Sequence, residues 1–289
     1  VRIAVLGHIG SWYVEQLLQA GERRGHACEA IDFERLASCV QNSSTEVTSD
    51  GRTLSDVDCM IVRTMPPGSL EQVVYRMDVL LQMQDAGVRI VNHPRGIECA
   101  VDKFLSTSRL SGCGIPIPRT IVTETTDQAM EAFEVLGQDV VVKPLFGAEG
   151  RGIIRLSDPD LAFRSFRAIE RLNGVIYQQE FVFHEGFDVR VLVLNGRVLG
   201  AIRRSHPTDF RTNVARQGKA SLHRLTSEEE AIAVAAAGAV HTCFAGVDLL
   251  YDLSGRCYVI EVNAVPGWKA FQSTTKIDVA QALFEYLEE

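Results

Sequence analysis

Asp248, Glu261 and Asn263 have the types and spacing that most directly suggest chemistry. They lie in GVDLLYDLSGRCYVIEVN, which reads as a β-hairpin turning at Ser254-Gly255. If Leu253 pairs with Arg256, counting outward sets Asp248 directly opposite Glu261, with Asn263 next on that face. Directly opposed residues have Cβ atoms about 5 Å apart. Two carboxylates at that distance repel by roughly 3 kcal/mol at an effective dielectric of about 20. A strand pair gains nothing from this unless something positive sits between them. Two carboxylates and an amide oxygen are hard ligands suited to Mg²⁺ or Mn²⁺. The alternatives are a carboxylate solvated at a strand end, or a bulge that breaks the count.

A second hairpin is signalled by Asn195-Gly196 between DVRVLVL and RVLGAIRR. Pairing Leu194 with Arg197 sets Asp188 opposite Arg203, with Arg190 and Leu192 on the same face. Lys143 ends the apolar run VVVKP and precedes a loop holding Gly147, Gly150 and Gly152. A lysine at a strand end is usually a surface residue. Followed by three glycines, it suits phosphate, because glycines let backbone N–H groups approach the oxygens. No G-x-x-x-x-G-K-[ST] loop exists in the chain. Arg203, Arg204, Arg211, Arg216 and Lys219 crowd into one short segment, read either as a solvated loop or as an anion site.

The bulk properties bound these readings. The chain has 289 residues, enough for more than one core. It is 46% hydrophobic and 23% charged, with a formal net charge of −8. That charge argues against general nucleic-acid binding. No apolar run approaches the roughly 20 residues of a membrane span. The first residues, VRIAVLG, read as a strand rather than a leader, so a cytoplasmic protein is expected. The seven cysteines form no C-x-x-C pair and read as reduced thiols rather than zinc ligands. The histidines show no H-E-x-x-H.

The elements that must position these residues follow from pattern. RIAVLG, HACEAID, VDCMIVR and VRIVNH read as strands, separated by helices over Trp12–Arg24 and over SLEQVVYRMDVLLQMQDAG. Strand-helix-strand order implies a parallel α/β sheet. Gly7-His8-Ile9-Gly10 matches the dinucleotide fingerprint poorly and reads as a turn. Asn92-His93-Pro94 reads as a boundary, followed by one helix over 96–112 carrying Lys103. QDVVVKPLFGAEGRGIIRL reads as strand, loop, strand, and VIYQQEFV as a strand. An alanine-rich helix is expected from Glu228 to Phe244, and a last helix from Asp278. The class is α/β, with antiparallel sheet in the later parts.

These stretches resemble the ATP-grasp ligases, and within them the RimK-like glutamate ligases. The resemblance rests on VVVKPLFGAEGRGI, QQEFV, GFDVRVLVLNGRVLGAIRR, DFRTN, AGVDLL, YVIEVNAVPG and TTKIDVA, in the family's order. It implies an N-terminal α/β domain over 1–92, a central domain over 93–182 and a C-terminal domain over 183–289. It implies that Lys103 and Lys143 touch ATP phosphates, under a lid formed by the loop with Gly147, Gly150 and Gly152. Glu180 and Phe181 would meet adenine through backbone atoms, and Asp188 the ribose. Arg203, Arg211 and Asn213 would surround the γ-phosphate, with Arg203 stabilising charge during transfer. Asp248, Glu261 and Asn263 would hold magnesium, in agreement with the hairpin count.

The implied reaction joins a carboxylate to an amine through an acyl phosphate, turning ATP into ADP. The amine implied is L-glutamate, added to a small molecule or a protein C-terminus. Its two carboxylates could pair with Arg204, Arg216 and Lys219. Gln217-Gly218-Lys219 and Trp268-Lys269 depart from the family's pattern beside the acceptor site. A same-fold ligase with another amino-acid or pterin-type substrate is therefore the alternative. A non-catalytic nucleotide-binding regulator is disfavoured, because none of the key residues is lost. Homo-oligomers are frequent in that family.

Overall fold

The computed structural model describes residues 1–42, 44–147, 150–206 and 218–289. The first part alternates strands and helices: β1 (Arg2–Leu6), α1 (Trp12–Arg23), β2 (Ala27–Ile31), β3 (Leu36–Gln41), β4 (Ser44–Ser49), β5 (Arg52–Thr53), β6 (Cys59–Val62), α2 (Leu70–Asp85) and β7 (Arg89–Val91). Four of these strands form a parallel sheet in the order β2-β1-β6-β7. Their continuous apolar runs fit a sheet covered on both faces. A capping box between Ser69 and Gln72 starts α2. The small antiparallel sheet β3-β4-β5 is an addition to the sequence expectation. Its strands are mostly exposed, β4 and β5 are polar, and the apolar residues of β3 do not alternate, so no period-2 pattern marks them.

The middle part holds α3 (Pro94–Val101), α4 (Lys103–Gly112), β8 (Thr120–Thr123), α5 (Thr126–Val135), β9 (Val140–Lys143), β10 (Ile154–Leu156), α6 (Pro159–Arg171) and β11 (Ile176–Glu180). Its antiparallel sheet has the order β10-β9-β11-β8, and α5 and α6 cover one face. The single helix expected over 96–112 is two helices broken at Asp102. That residue is extended (ψ 106°) and its carboxylate accepts the Leu105 N–H at 2.9 Å, capping α4. The break makes Lys103 the first residue of α4.

The last part holds β12 (Phe187–Leu194), β13 (Arg197–Ser205), β14 (Lys219–His223), α7 (Ser227–Ala239), β15 (Phe244–Tyr251), β16 (Cys257–Asn263), α8 (Lys269–Thr275) and α9 (Val279–Glu288). Its sheet has the order β14-β13-β12-β15-β16. The alanine-rich helix ends at Ala239 rather than Phe244. His241 turns the chain with a left-handed φ of 58°, and Phe244 opens β15. One face of this sheet packs on α7 through Val189, Val191, Val247 and Leu249. Part of the other face meets the first sheet, with Leu192, Ile202 and Phe244 joining Ile3, Val5 and Leu17 in one core. The C-terminal helix closes that core through Leu283 and Phe284.

Asn92 staples the first sheet to the last. Its amide donates to the Phe244 and Ala264 carbonyls, both at 2.6 Å, and its oxygen accepts from the Cys243 and Phe244 N–H groups. Among the described residues, no helix is long and apolar enough to cross a membrane.

Candidate active site

The carboxylate hairpin has the register expected from the sequence at its functional end. Asp248 pairs with Glu261, and Gly246 with Asn263. The route to that register differs from the expectation. The turn is a three-residue loop, because the Asp252 carboxylate accepts the Ser254 and Arg256 N–H groups and Asp252 itself pairs with Arg256. Alone, this would shift the pairing by one residue. A bulge at Ile260 shifts it back, since Leu249 pairs with Val259 and Asp248 with Glu261. The bulge also lets the consecutive residues Ile260 and Glu261 both line one cleft.

The other hairpin corrects the expectation. Asn195 and Gly196 form the turn, both with positive φ, and Leu194 pairs with Arg197. A bulge at Leu199 then shifts the pairing, so Asp188 faces Arg204 and Val189 faces Arg203. Arg203 is consequently on the α7 side of the sheet, exposed, with its guanidinium 3.5 Å from the centre of the Phe187 ring. It does not face Asp188 or Asp248. The expectation that Arg203 stands with these carboxylates is overturned by a single inserted residue.

Arg204 and Arg190 occupy that face instead. Arg204 donates to both Asp188 oxygens at 2.7 and 2.6 Å. It also reaches Asp248 Oδ2 at 2.9 Å. Arg190 donates to both Asp248 oxygens at 2.6 Å. The four side chains form an alternating, charge-neutral and nearly dry array, with Asp188 and Asp248 each 3% exposed. Burial pushes the Asp248 carboxyl up, but Arg190 and Arg204 outweigh it and hold it below the ordinary carboxylate value. On the Asp248 side the positive charge that the opposed carboxylates require is thus supplied by arginine, and Lys143 and Lys103 stand nearer Glu261. Glu261 makes no hydrogen bond or ion pair among the described residues.

The cleft lies between this sheet and the middle sheet. It is lined by Lys103, Lys143, Gly147, Gly150, Glu180, Phe181, Asp188, Asp248 and Glu261, with Val141, Ile153, Leu250 and Ile260 as apolar walls. Lys143 projects from the end of β9 and donates to Gln179 Oε1 at 2.7 Å. Its burial pushes it down to about 8, against the opposing pull of Glu261. Lys103 donates to the Gly147 carbonyl at 2.8 Å and is likewise lowered by burial. At the far end, the Glu180 N–H donates to the Arg119 carbonyl and the Phe181 N–H to the Asp139 carbonyl. The Glu180 carboxylate accepts the Arg119 N–H at 2.9 Å, so that N–H is not spent on the Glu180 carbonyl.

Gly152 lies beside the cleft lining, with φ 73°, a conformation glycine tolerates. Asn263 shares the Asp248 face and accepts the Val265 N–H at 2.9 Å. Arg211, Asn213 and Arg216 lie outside the described residues. Lys219 is exposed on the edge strand β14. Sequence reasoning missed the Arg204–Asp188 and Arg190–Asp248 pairs. For the first, the available signal was Gly200 inside a strand pattern, which marks a bulge or a close approach and would have moved the β12–β13 count; the second depends on the non-hairpin pairing of β12 with β15.

Two lysines facing two carboxylates across a cleft with an apolar end suit a polyphosphate attached to a flat base, with a divalent cation. The comparisons agree with that class. The RimK-like ATP-grasp domain matches residues 100–287, and the RimK PreATP-grasp domain matches residues 1–97. The chain belongs to the RimK-like ATP-grasp family, and is an ATP-grasp carboxylate–amine ligase. It is 35% identical to the "Probable alpha-L-glutamate ligase" of Serratia proteamaculans, over 100% of this chain and 96% of that one. It is 28% identical to the "Tetrahydromethanopterin:alpha-L-glutamate ligase" of Methanosarcina acetivorans, over 96% and 95%. Its fold matches the ATP-grasp ligase PsnB complexed with minimal precursor, Mg and ADP, with a TM-score of 0.75 and 22% identity, over 99% and 96%.

Proposed function

We propose that the cleft binds ATP, that the γ-phosphoryl group passes to a substrate carboxylate, and that the amine of L-glutamate then attacks the acyl phosphate. The amide forms, phosphate leaves, and ADP remains. The observation that carries this reading is the meeting of Lys103 and Lys143 with Asp248 and Glu261 in one cleft. The family's glutamate-ligase relatives support glutamate as the amine. The acceptor carboxylate belongs to a small molecule or a peptide C-terminus.

In this reading Lys103 and Lys143 neutralise phosphate charge, and the loop with Gly147, Gly150 and Gly152 covers it. The base lies at the apolar end, where the Glu180 carbonyl and the Phe181–Val182 backbone meet it. Asp248, Glu261 and the Asn263 oxygen are a hard donor set that fits Mg²⁺ or Mn²⁺, and the Glu261 carboxylate, without a hydrogen-bond partner among the described residues, supports that fit. When bound, such an ion supplies charge neutralisation at the phosphates. Arg190 and Arg204 take the part first expected of Arg203. Drawn from Asp248 toward anionic oxygens, they stabilise charge on the transferring group and on the tetrahedral oxygen. Asp188 orients Arg204 through its bidentate contact. Arg211 and Asn213 remain candidates for the γ-phosphate.

The test is turnover by purified protein with ATP, Mg²⁺, glutamate and a dialysed cell extract as acceptor source. The expected result is glutamate-dependent ADP and phosphate, and a product heavier by glutamyl units in mass spectrometry. AMP as the stoichiometric product would exclude the acyl-phosphate route. A preference for another amine would exclude glutamate alone.

A further inference from the structure

Arg63 is a buried cation with no acidic partner among the described residues. It directly follows β6, and its N–H donates to the Leu6 carbonyl at 2.7 Å, so it stands between the C-terminal ends of β1 and β6. In the order β2-β1-β6-β7, the chain leaves β1 toward one side and returns on the other as β6. That gap is the sheet's switch point, where open parallel sheets place ligands. Arg63 is 3% exposed. Its Nη2 donates to the Pro266 carbonyl at 3.1 Å, and its guanidinium lies 4.3 Å from the Trp268 ring centre and 4.9 Å from that of Tyr13. Among the described residues its Nε–H has no acceptor, and neither does the buried indole N–H of Trp268 beside it. Burial pushes Arg63 down to about 10. Two orphaned buried donors, one of them on a cation, are costly unless an anion joins them.

These donors adjoin the candidate active site. A Cβ built on Gly246 would lie 2.8 Å from the Pro266 Cβ and 3.5 Å from the Arg190 Cδ. Pro266, whose carbonyl Arg63 holds, thus packs on Gly246, against which Arg190 also lies. Of the cations first expected to receive the amino acid, Arg216 lies outside the described residues. Arg204 pairs with Asp188 and Asp248 and is assigned above to the transferring phosphoryl group, and Lys219 sits on an exposed edge strand.

We propose that Arg63, together with the indole N–H of Trp268, holds the α-carboxylate of the amino acid whose amine is joined to the acceptor. This rests on the ligase reading above, but not on glutamate being the amino acid. The α-carboxylate is two bonds from the reacting nitrogen. An amine brought to the Arg190–Asp248 end of the site therefore carries its carboxylate close to that nitrogen, and Arg63 lies just across Pro266. The Tyr13 and Trp268 rings, edge to face with each other, both lie against the guanidinium and restrict it, and its charge favours a carboxylate over a neutral amide.

The test measures ADP release by the full chain with a panel of amino acids and a dialysed extract as acceptor source. The best amino acid is then compared with its own α-amide. The parent should prefer the free acid by about tenfold or more in kcat/KM, the range of one charge-assisted contact. R63Q should reduce that preference to about threefold or less, R63K should retain part of it, and the KM for ATP should stay unchanged in both. W268F keeps an aromatic ring against Arg63, loses the orphaned N–H together with the pyrrole half of the buried indole, and should lower the preference by a smaller factor. A purely structural Arg63 would lower the melting temperature and scale acid and amide alike, and that result overturns the proposal. So does ADP release with no amino acid. If alanine or lysine wins the panel and R63Q still erases the acid preference, this assignment stands and the glutamate reading falls.

Discussion

Replacing Asp248 by Asn should destabilise the protein even when no metal is present. From the opposed carboxylates alone the reverse would follow, since removing one charge would relieve roughly 3 kcal/mol of repulsion. The structure changes the sign. Asp248 receives three guanidinium contacts, at 2.6, 2.6 and 2.9 Å, in a site where it is 3% exposed. Asn keeps one acceptor oxygen and turns an amide N–H₂ toward a guanidinium. Arg190 and Arg204 are then left buried against Asp188 alone. Removing one partner of a buried ion pair costs about 3–5 kcal/mol, and the retained oxygen places this case at the lower end. With an unfolding entropy of about 2.1 cal/mol/K per residue, about 3 kcal/mol corresponds to a melting shift of about 5 °C for a cooperative chain of this length. The assay is thermal unfolding in EDTA without nucleotide. A D248N protein melting at or above the parent would refute the reasoning. R190M combined with D248N should cost less than the two single changes added together, because each removes the other's lost partner. The pH dependence has a definite sign. The Asp248 carboxyl is held low in the folded state, so its contribution is full above the ordinary carboxylate value and is lost as pH falls through the lowered one. The gap between parent and D248N should therefore be flat near neutrality and close only in acid.

Glu261→Gln should behave differently, because Glu261 has no partner among the described residues: melting in EDTA should move by no more than about 2 °C, while Mg²⁺-dependent turnover falls by about a hundredfold or more. Lys143→Met should weaken nucleotide binding, measured by titration calorimetry with ADP and Mg²⁺. In the parent, Lys143 sits near 8 in the free protein, so nucleotide affinity should decline as pH rises from 7 to 9, and K143M should show no such step. The stability sign is opposite. The folded protein sheds this proton before the unfolded chain does, so stability attributable to Lys143 rises with pH between about 8 and the ordinary lysine value of 10.5.

The parts legible in the sequence are those decided locally. The parallel strands announced themselves as apolar runs, and Ser69, Asp158, Thr226 and Asp278 each cap the helix their position suggests. The illegible parts depend on partners far along the chain. The sheet β3-β4-β5 carries few apolar residues and is held by its own ladder, so periodicity could not reveal it. The break at Asp102 separates two helices that are each compatible with one continuous pattern. Arg190 and Arg204 read as residues on the two strands of one hairpin, and only the third strand, β15, brings Asp248 to them.

Register explains why one carboxylate pair was found and one arginine misplaced. In the β15–β16 hairpin two departures from ideal geometry have opposite effect: the Asp252-capped loop moves the count by one residue and the Ile260 bulge moves it back. The expected pairing of Asp248 with Glu261 is right although the turn expected for it is not. In the β12–β13 hairpin the Asn-Gly turn is as expected, but the Leu199 bulge has no compensating partner. Every residue beyond it changes face relative to the count, so Arg203 goes to the α7 side and Arg204 comes to the acids. The consequence is chemical as well as geometrical. Asp188 and Asp248 do not wait for bound ligands to be neutralised. The site that exists neutralises them with its own arginines, so metal and phosphate must compete with, and then redirect, a preformed ion-pair array.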